Sequence, residues 1–482
     1  MVDIRPVFYV IGRILIVLAV LMLVPAAIDA YAGQRNGRSF LESALFTALI
    51  GAFVSLSTRN ATSQPMNLRQ AYLLTTGIWT MVPLFGALPF WIGAPGLAFA
   101  DAYFEAVSGI TTTGATVIGG LDDLPVGMNL WRAMLNWLGG LGIAFIAMIF
   151  LPLMRVGGMQ FFRTEGFDTF GKVLPRAADI ARQLALVYVG LTIAAILAYS
   201  LIGMTILDAI MNGAATIATG GFSPSDQSFA KYSGAGEYVG TVFMLLGSLP
   251  YILYVHLING SAQPLWRDSQ VRAYLRWLAI GVGLVTVWRV YSTDMELEPA
   301  FRESLFNLTS IMSSTGFSSG SFPHWGGFML IVAFVLGTIG ACSGSSAAGL
   351  SVFRMQIAFA ALRQHIFRIG NPNTVNLVKY DGRRVENEVL NALIMFICGY
   401  IVLLGTMIVA MDLLGVDTVS AVFAVWTSLG NVGFGFGPLV ERTGTFIDFP
   451  RGALSIMTLA MLLGRLGLLT ILVLVLPSFW RR

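Results

Sequence analysis

The chain alternates between long apolar runs and short polar connections, and the length of the runs sets its class. A helix crosses bilayer hydrocarbon with about 20 mainly apolar residues, and roughly ten such stretches are legible, beginning with 8–28 and 41–56. Between them lie four apolar pieces too short to span: 99–109, 206–217, 300–312 and 418–428. Each short piece runs into a polar, Gly-containing segment: SGITTTGATV at 108–117, ATIATGGFS at 215–223, SIMSSTGFS at 310–318 and SLGNVGFG at 428–435. Each segment centres on one glycine, taken as Gly114, Gly220, Gly316 and Gly433.

These glycines recur roughly every hundred residues, the period of an internal repeat. A second pattern, L-G-x-[LI]-[GP], follows each in step: Leu138–Gly142, Leu246–Pro250, Leu336–Gly340 and Leu463–Gly467. Four pentads in step with four loops predict one unit used four times: a long helix, a re-entrant short helix, a Gly loop and a second long helix. The fold class is therefore an all-α polytopic membrane protein, with four pseudo-symmetric repeats around one pore and an extra helix pair before them. The expected segments are 1–64 for the helix pair, then 65–165, 166–265, 266–378 and 379–482 for repeats 1 to 4.

The reason for a shared axis is energetic. Non-helical backbone at membrane depth survives only when buried in protein or lining a water-filled cavity. Each unit enters and leaves on the same side, so successive units share one orientation, which argues against inverted-repeat transporters.

Composition agrees with a bilayer environment: of 482 residues 56% are hydrophobic and 11% charged, with a mean hydropathy of +0.76. The net charge of +4 reports topology rather than nucleic acid, because Lys and Arg collect at alternate membrane ends. Those in 155–182 and 354–384 mark the cytoplasmic side, which puts both termini inside. Both basic connections could also meet a partner or anionic lipid. The opposite ends carry acids, including Asp101, Glu105, Asp122, Asp226, Glu237, Glu303 and Asp417. Two readings of these acids stand: a solvated surface, or a vestibule that concentrates cations.

Carbonyls aimed inward by a glycine turn can replace the water shell of a monovalent cation. The loops hold Thr, Ser, Ala, Val and Asn and no Asp or Glu, unlike a divalent-cation filter. The expected ligands are the carbonyls of Thr112 and Thr113, Ala218 and Thr219, Ser314 and Thr315, and Asn431 and Val432, beside the four glycines. In the third repeat the stretch 337–349 is too rich in Gly, Ser and Ala for a continuous helix. A break there lines a cavity below the loops and acts either as a gate, through Gly340, Ser343, Gly344, Ser345, Ser346 and Gly349, or as a passive kink. Arg465 stands in the fourth pentad where the other copies carry Gly140, Ser248 and Thr338. A mid-membrane Arg costs about 2.5–3.5 kcal/mol on insertion scales and marks an ion pathway or a structural tie.

Cys342 and Cys398 have no disulfide or metal context, and His256, His324 and His365 no ligand spacing. No nucleophile and base pair, H-E-x-x-H or nucleotide loop is present, so enzyme chemistry is not expected. A proton- or sodium-coupled symporter is the alternative class, and only Asp208, Asp412 and Arg465 approach the ionisable relay it needs.

The motifs TTTGAT at 111–116, WLGGLGI at 137–143, ATGGFS at 218–223, SSTGFS at 313–318, GACSGSSAAG at 340–349 and LLGRLG at 462–467 resemble those of the Trk/Ktr/HKT superfamily. The resemblance runs through essentially the whole chain and is closest to the TrkH-type subunit. It implies potassium uptake across the bacterial inner membrane, a homodimer, and control by a cytoplasmic TrkA-type subunit that binds NAD(H) or adenine nucleotides. No organic cofactor is implied on this chain. It further implies that 340–349 is an intramembrane gating loop faced by Arg465, and that Gly114 matches the potassium-preferring type. The chain departs from the pattern at Gly467, where the family carries an acid, and at Ser351, where it carries a base.

Overall fold

The computed structural model describes residues 3–61, 67–145, 177–371 and 377–480. The larger part of the basic connection 155–182 lies outside them, as do Arg481 and Arg482. Among the described residues six helices are long and apolar enough to cross a membrane: Arg5–Tyr31, Gly37–Ser57, Arg69–Ile92, Ala181–Leu201, Ser269–Thr293 and Asn387–Leu413. Their outward faces carry exposed side chains such as Phe53, Leu197 and Val402. This is the arrangement lipid favours, since it removes no polar group from water.

Four short helices follow long ones at Phe99–Ile110, Ile206–Ile217, Leu297–Met312 and Thr418–Leu429, each within a few residues of its expected place. Two of them start on side-chain caps. Thr205 Oγ1 accepts from the Asp208 amide at 3.1 Å, and Asp417 Oδ1 accepts from the Ser420 amide at 2.9 Å. Each cap satisfies one of the amides left unpaired in a first turn.

The helices after the loops behave differently from one another. The first runs unbroken from Val126 to Phe145. The second bends by 93° between Ala235–Ser248 and Tyr251–Ile258, where Pro250 has no amide to continue the ladder. The third stops at Ile339 and resumes as Val352–Gly370. The fourth breaks at Gly467, whose φ of +75° separates Arg451–Leu466 from Leu468–Val475. The sequence predicts one break, in the third of these helices; among the described residues three of them break.

Among the described residues, the two largest apolar clusters lie around these loops. One joins the first helix pair to the elements near the first and fourth short helices, and the other joins those near the second and third. The helix pair is also held by polar contacts. The buried Asp29 accepts from the Gly127 amide at 2.6 Å and from Asn36 Nδ2 at 3.1 Å, tying the pair to the helix after the first loop.

Candidate ion pathway

The four Gly loops leave their short helices through one hydrogen-bond pattern. The amides of Thr112, Thr219, Ser314 and Asn431 donate to carbonyls three residues back at 3.0, 3.1, 3.0 and 3.2 Å. Those of Thr113, Gly220, Thr315 and Val432 reach five residues back, at 2.9, 2.8, 2.8 and 2.9 Å. The first member of each set turns left-handed, with φ of 50°, 51°, 58° and 49°, and so do Gly114, Gly221, Gly316 and Gly433, with φ of 83°, 73°, 83° and 91°. A left-handed residue after a helix satisfies the last carbonyls and turns the chain away from the axis.

This pattern moves the second loop by one residue. Gly221, not Gly220, corresponds to Gly114, and Thr219 with Gly220 corresponds to Thr112 with Thr113. Ala218, expected as a ligand, instead matches Thr111, Ser313 and Gly430, whose amides still reach four residues back into the helix.

The loops close on one another in order. A Cβ on Gly114 would meet the Gly220 carbonyl oxygen at 2.5 Å, and Cβ atoms on Gly221, Gly316 and Gly433 would collide with the carbonyl oxygens of Thr315, Val432 and Thr113. Each glycine therefore abuts the carbonyl of the next loop, and the fourth returns to the first. Gly114, Gly221, Gly316 and Gly433 line one cavity. The short helices end at this ring, and their C-terminal partial negative charges favour a cation there.

The ring is propped from outside by side chains. Thr111 Oγ1 bonds Thr113 Oγ1 at 2.7 Å and, at the matching place in the third loop, Ser313 Oγ bonds Thr315 Oγ1 at 2.6 Å. Asn431 Nδ2 links the fourth loop to the first through Thr113 Oγ1 at 2.8 Å. Asn136, fully buried, packs against Gly220.

Among the described residues two buried ion pairs and one half-buried pair add to this frame, none of them anticipated from the sequence. Arg132, 1% exposed, donates from Nε to Glu105 Oε1 at 2.9 Å and from Nη1 to the Ser223 carbonyl at 3.0 Å. Its guanidinium also stacks on Phe222. Glu105 accepts as well from Thr116 Oγ1 and the Val117 amide, so one pair grips the chain after both the first and second loops. Arg289 pairs with Glu303 at 2.6 Å, and Glu303 accepts from the Ser321 amide. Arg302 pairs with Glu237, which accepts from Ser319 Oγ at 2.6 Å. Glu105, Glu237 and Glu303 thus belong neither to a solvated surface nor to an open vestibule. The available signal was Arg132 and Arg289 inside apolar helices, where an unpaired charge is too costly to bury.

The pentad glycines lie directly against the short-helix ends. Cβ atoms on Gly139 and Gly464 would collide with the carbonyl oxygens of Ile110 and Leu429, and one on Gly247 would press on that of Ile217. Gly337 packs on Ile311 and Trp426. Only a residue without a side chain admits this approach.

Next to these contacts the segment between Ile339 and Val352 leaves the helix and folds back on itself. The Leu350, Ser351 and Val352 amides donate to Thr338, Ile339 and Ala341 at 3.2, 2.8 and 2.9 Å. Gly340 and Gly349, with φ of 72° and 89°, meet where the two ends of the segment cross. The remaining expected gate residues, Ser343, Gly344, Ser345 and Ser346, fall in the excursion. Ser346 Oγ lies 2.6 Å from the Tyr251 hydroxyl, and the Gly344 carbonyl accepts from the Tyr251 amide at 3.0 Å. Arg465 Nη2 donates to the Ser346 carbonyl at 2.5 Å, and its side chain lines a cavity with Ser345, Gly349 and Gly464. Asp208 and Asp412 stand apart from this pathway. Asp208 lies in the first turn of its helix and accepts from the Tyr232 hydroxyl, and Asp412 lies in the last turn of Asn387–Leu413.

Comparison with known proteins agrees over the full length. A family model for TrkH, a cation transport protein, matches residues 36–482. The chain is 34% identical over 481 residues to the Trk system potassium uptake protein TrkI of Halomonas elongata, covering 99% of this chain and 97% of that protein. It is 32% identical over 486 residues to the Trk system potassium uptake protein TrkH of Escherichia coli K12, covering 99% of both. The crystal structure of the potassium transporter TrkH from Vibrio parahaemolyticus superposes with a TM-score of 0.92 at 30% identity, covering all of both chains. The chain belongs to the TrkH family of cation transport proteins.

Proposed function

We propose that this chain conducts potassium into the bacterial cell across the inner membrane, as the pore-forming subunit of a Trk-type uptake system. The observation that carries the reading is the closed ring in which each loop glycine abuts the next loop's carbonyl. The reading is supported because backbone oxygens gathered around one axis can replace the water shell of a dehydrating monovalent cation without a charged side chain. In this reading the ligands are the carbonyls of Thr112, Thr113, Thr219, Gly220, Ser314, Thr315, Asn431 and Val432. Potassium is the ion for which the relatives TrkI and TrkH are named.

The excursion between Ile339 and Val352 is the gate. It lies against the pentad glycines' side of the ring, and the Arg465 guanidinium both fastens it through Ser346 and opposes a cation below the ring. The working form is a homodimer with both termini cytoplasmic, controlled by a TrkA-type cytoplasmic subunit that binds NAD(H) or adenine nucleotides.

Rubidium uptake in a potassium-auxotrophic host tests the reading. Gly316→Ser is expected to lower discrimination against sodium, and Arg465→Ala to raise flux. Unchanged selectivity and flux in both variants would sink it.

A further inference from the structure

The segment between Ile339 and Val352 is held on a second side, away from Arg465. The Ser343 amide donates to Oε1 of Gln270 at 2.9 Å, and Gln270 is 3% exposed. Gln270 lies in the first turn of the helix Ser269–Thr293. Its neighbour Ser269 donates from Oγ to the Tyr380 hydroxyl at 2.8 Å and lies 3.0 Å from Asp381 Oδ2.

Tyr380 belongs to a two-stranded hairpin in which Lys379–Tyr380 pairs with Arg383–Arg384. Its hydroxyl donates to Gln356 Oε1 at 3.2 Å, and Gln356 Nε2 returns to the Ser269 carbonyl at 3.1 Å. Gln356 sits on Val352–Gly370, the helix that leaves the excursion, and Phe353 of the same helix packs edge-on against the Tyr380 ring at 5.1 Å. One tyrosine therefore touches both supports: the helix whose first turn holds Ser343, and the helix into which the segment runs.

We infer that the hairpin is a latch on the gate, with Gln270 and Tyr380 as positioning residues that set how firmly the segment stays in the pathway. The inference rests on the pore reading above. The amide of Ser343 has its partner only while the segment keeps this position, so removing the Gln270 oxygen leaves a donor unsatisfied in the held state alone. Displacement of the hairpin acts on the same bond through Ser269, one residue away.

Rubidium flux into vesicles carrying the purified full chain tests this. Gln270→Met keeps the length of the side chain and removes the acceptor; it is expected to raise basal flux about threefold to tenfold with the potassium-to-sodium ratio unchanged. Gln270→Glu restores an acceptor and is expected to return flux toward the parent. Tyr380→Phe removes one hydroxyl, leaves the packing on Phe353, and is expected to raise flux by a smaller factor. Flux at or below the parent in both Gln270→Met and Tyr380→Phe, in a parent that conducts and responds to Arg465→Ala, overturns the latch and leaves the pore reading standing. A parent with no flux and no response to Arg465→Ala overturns both.

Discussion

Arg465 and Ser346 are 119 residues apart in sequence, yet the guanidinium Nη2 of one lies 2.5 Å from the carbonyl oxygen of the other. The contact joins the helix Arg451–Leu466 to the segment that follows Gly327–Ile339. It supplies a partner for a charge that a membrane interior otherwise disfavours.

Removing that charge has a calculable direction. A unit charge about 10 Å from a permeating cation opposes it by about 1.7 kcal/mol at an effective dielectric constant of about 20. Arg465→Ala is therefore expected to raise rubidium flux by about an order of magnitude, measured in reconstituted vesicles. Arg465→Lys, which keeps the charge, is expected to stay near the parent.

The two glycines of the second loop make different demands. Gly221 is left-handed and faces the Thr315 carbonyl, whereas Gly220 has ordinary φ and faces the Asn136 side chain. Gly220→Ala should lose rubidium uptake and regain it when Asn136→Ala makes room. Gly221→Ala should lose uptake with or without that second change. Equal rescue of both would refute the one-residue shift of the second loop.

The Glu105 and Arg132 pair should act as a buried unit. Glu105→Leu leaves the guanidinium without its carboxylate, a loss of about 3–5 kcal/mol by analogy with other broken buried pairs. The expected readout is a large fall in thermal stability of the detergent-purified protein. Replacing both, with Glu105→Gln and Arg132→Gln, should recover part of the fall.

The cap at Asp417 is a milder case. Its carboxylate accepts from the Ser420 amide at the start of the fourth short helix, and Asp417→Ala is expected to cost about 1 kcal/mol. Thermal unfolding should register a small downward shift, with ion selectivity retained because the loop itself is untouched.

Much of the architecture was legible because hydrocarbon imposes simple rules. Run length separates helices that span from the four that do not, and the start of each short helix followed from it within a few residues. The pentads were visible because close packing against a helix end tolerates only glycine, as at Gly139 and Gly464. The break at Pro250 carried a signal in its own residue, while that at Gly467 lay in a helix otherwise continuous by composition.

The amino-acid sequence by itself determined the class of the protein, the spacing of its four Gly loops, the polarity of those loops and the anomaly of Arg465. Each follows from residue type and spacing, the quantities that set transfer into lipid and backbone freedom. Tertiary structure decided the register of the second loop, because two adjacent glycines satisfy the same pattern and only the folded chain turns Gly221 left-handed against the Thr315 carbonyl while Gly220 faces Asn136. It also decided which charges pair. Glu105 and Arg132 lie 27 residues apart on different helices, and their attraction depends on a distance in space that one chain of letters does not contain.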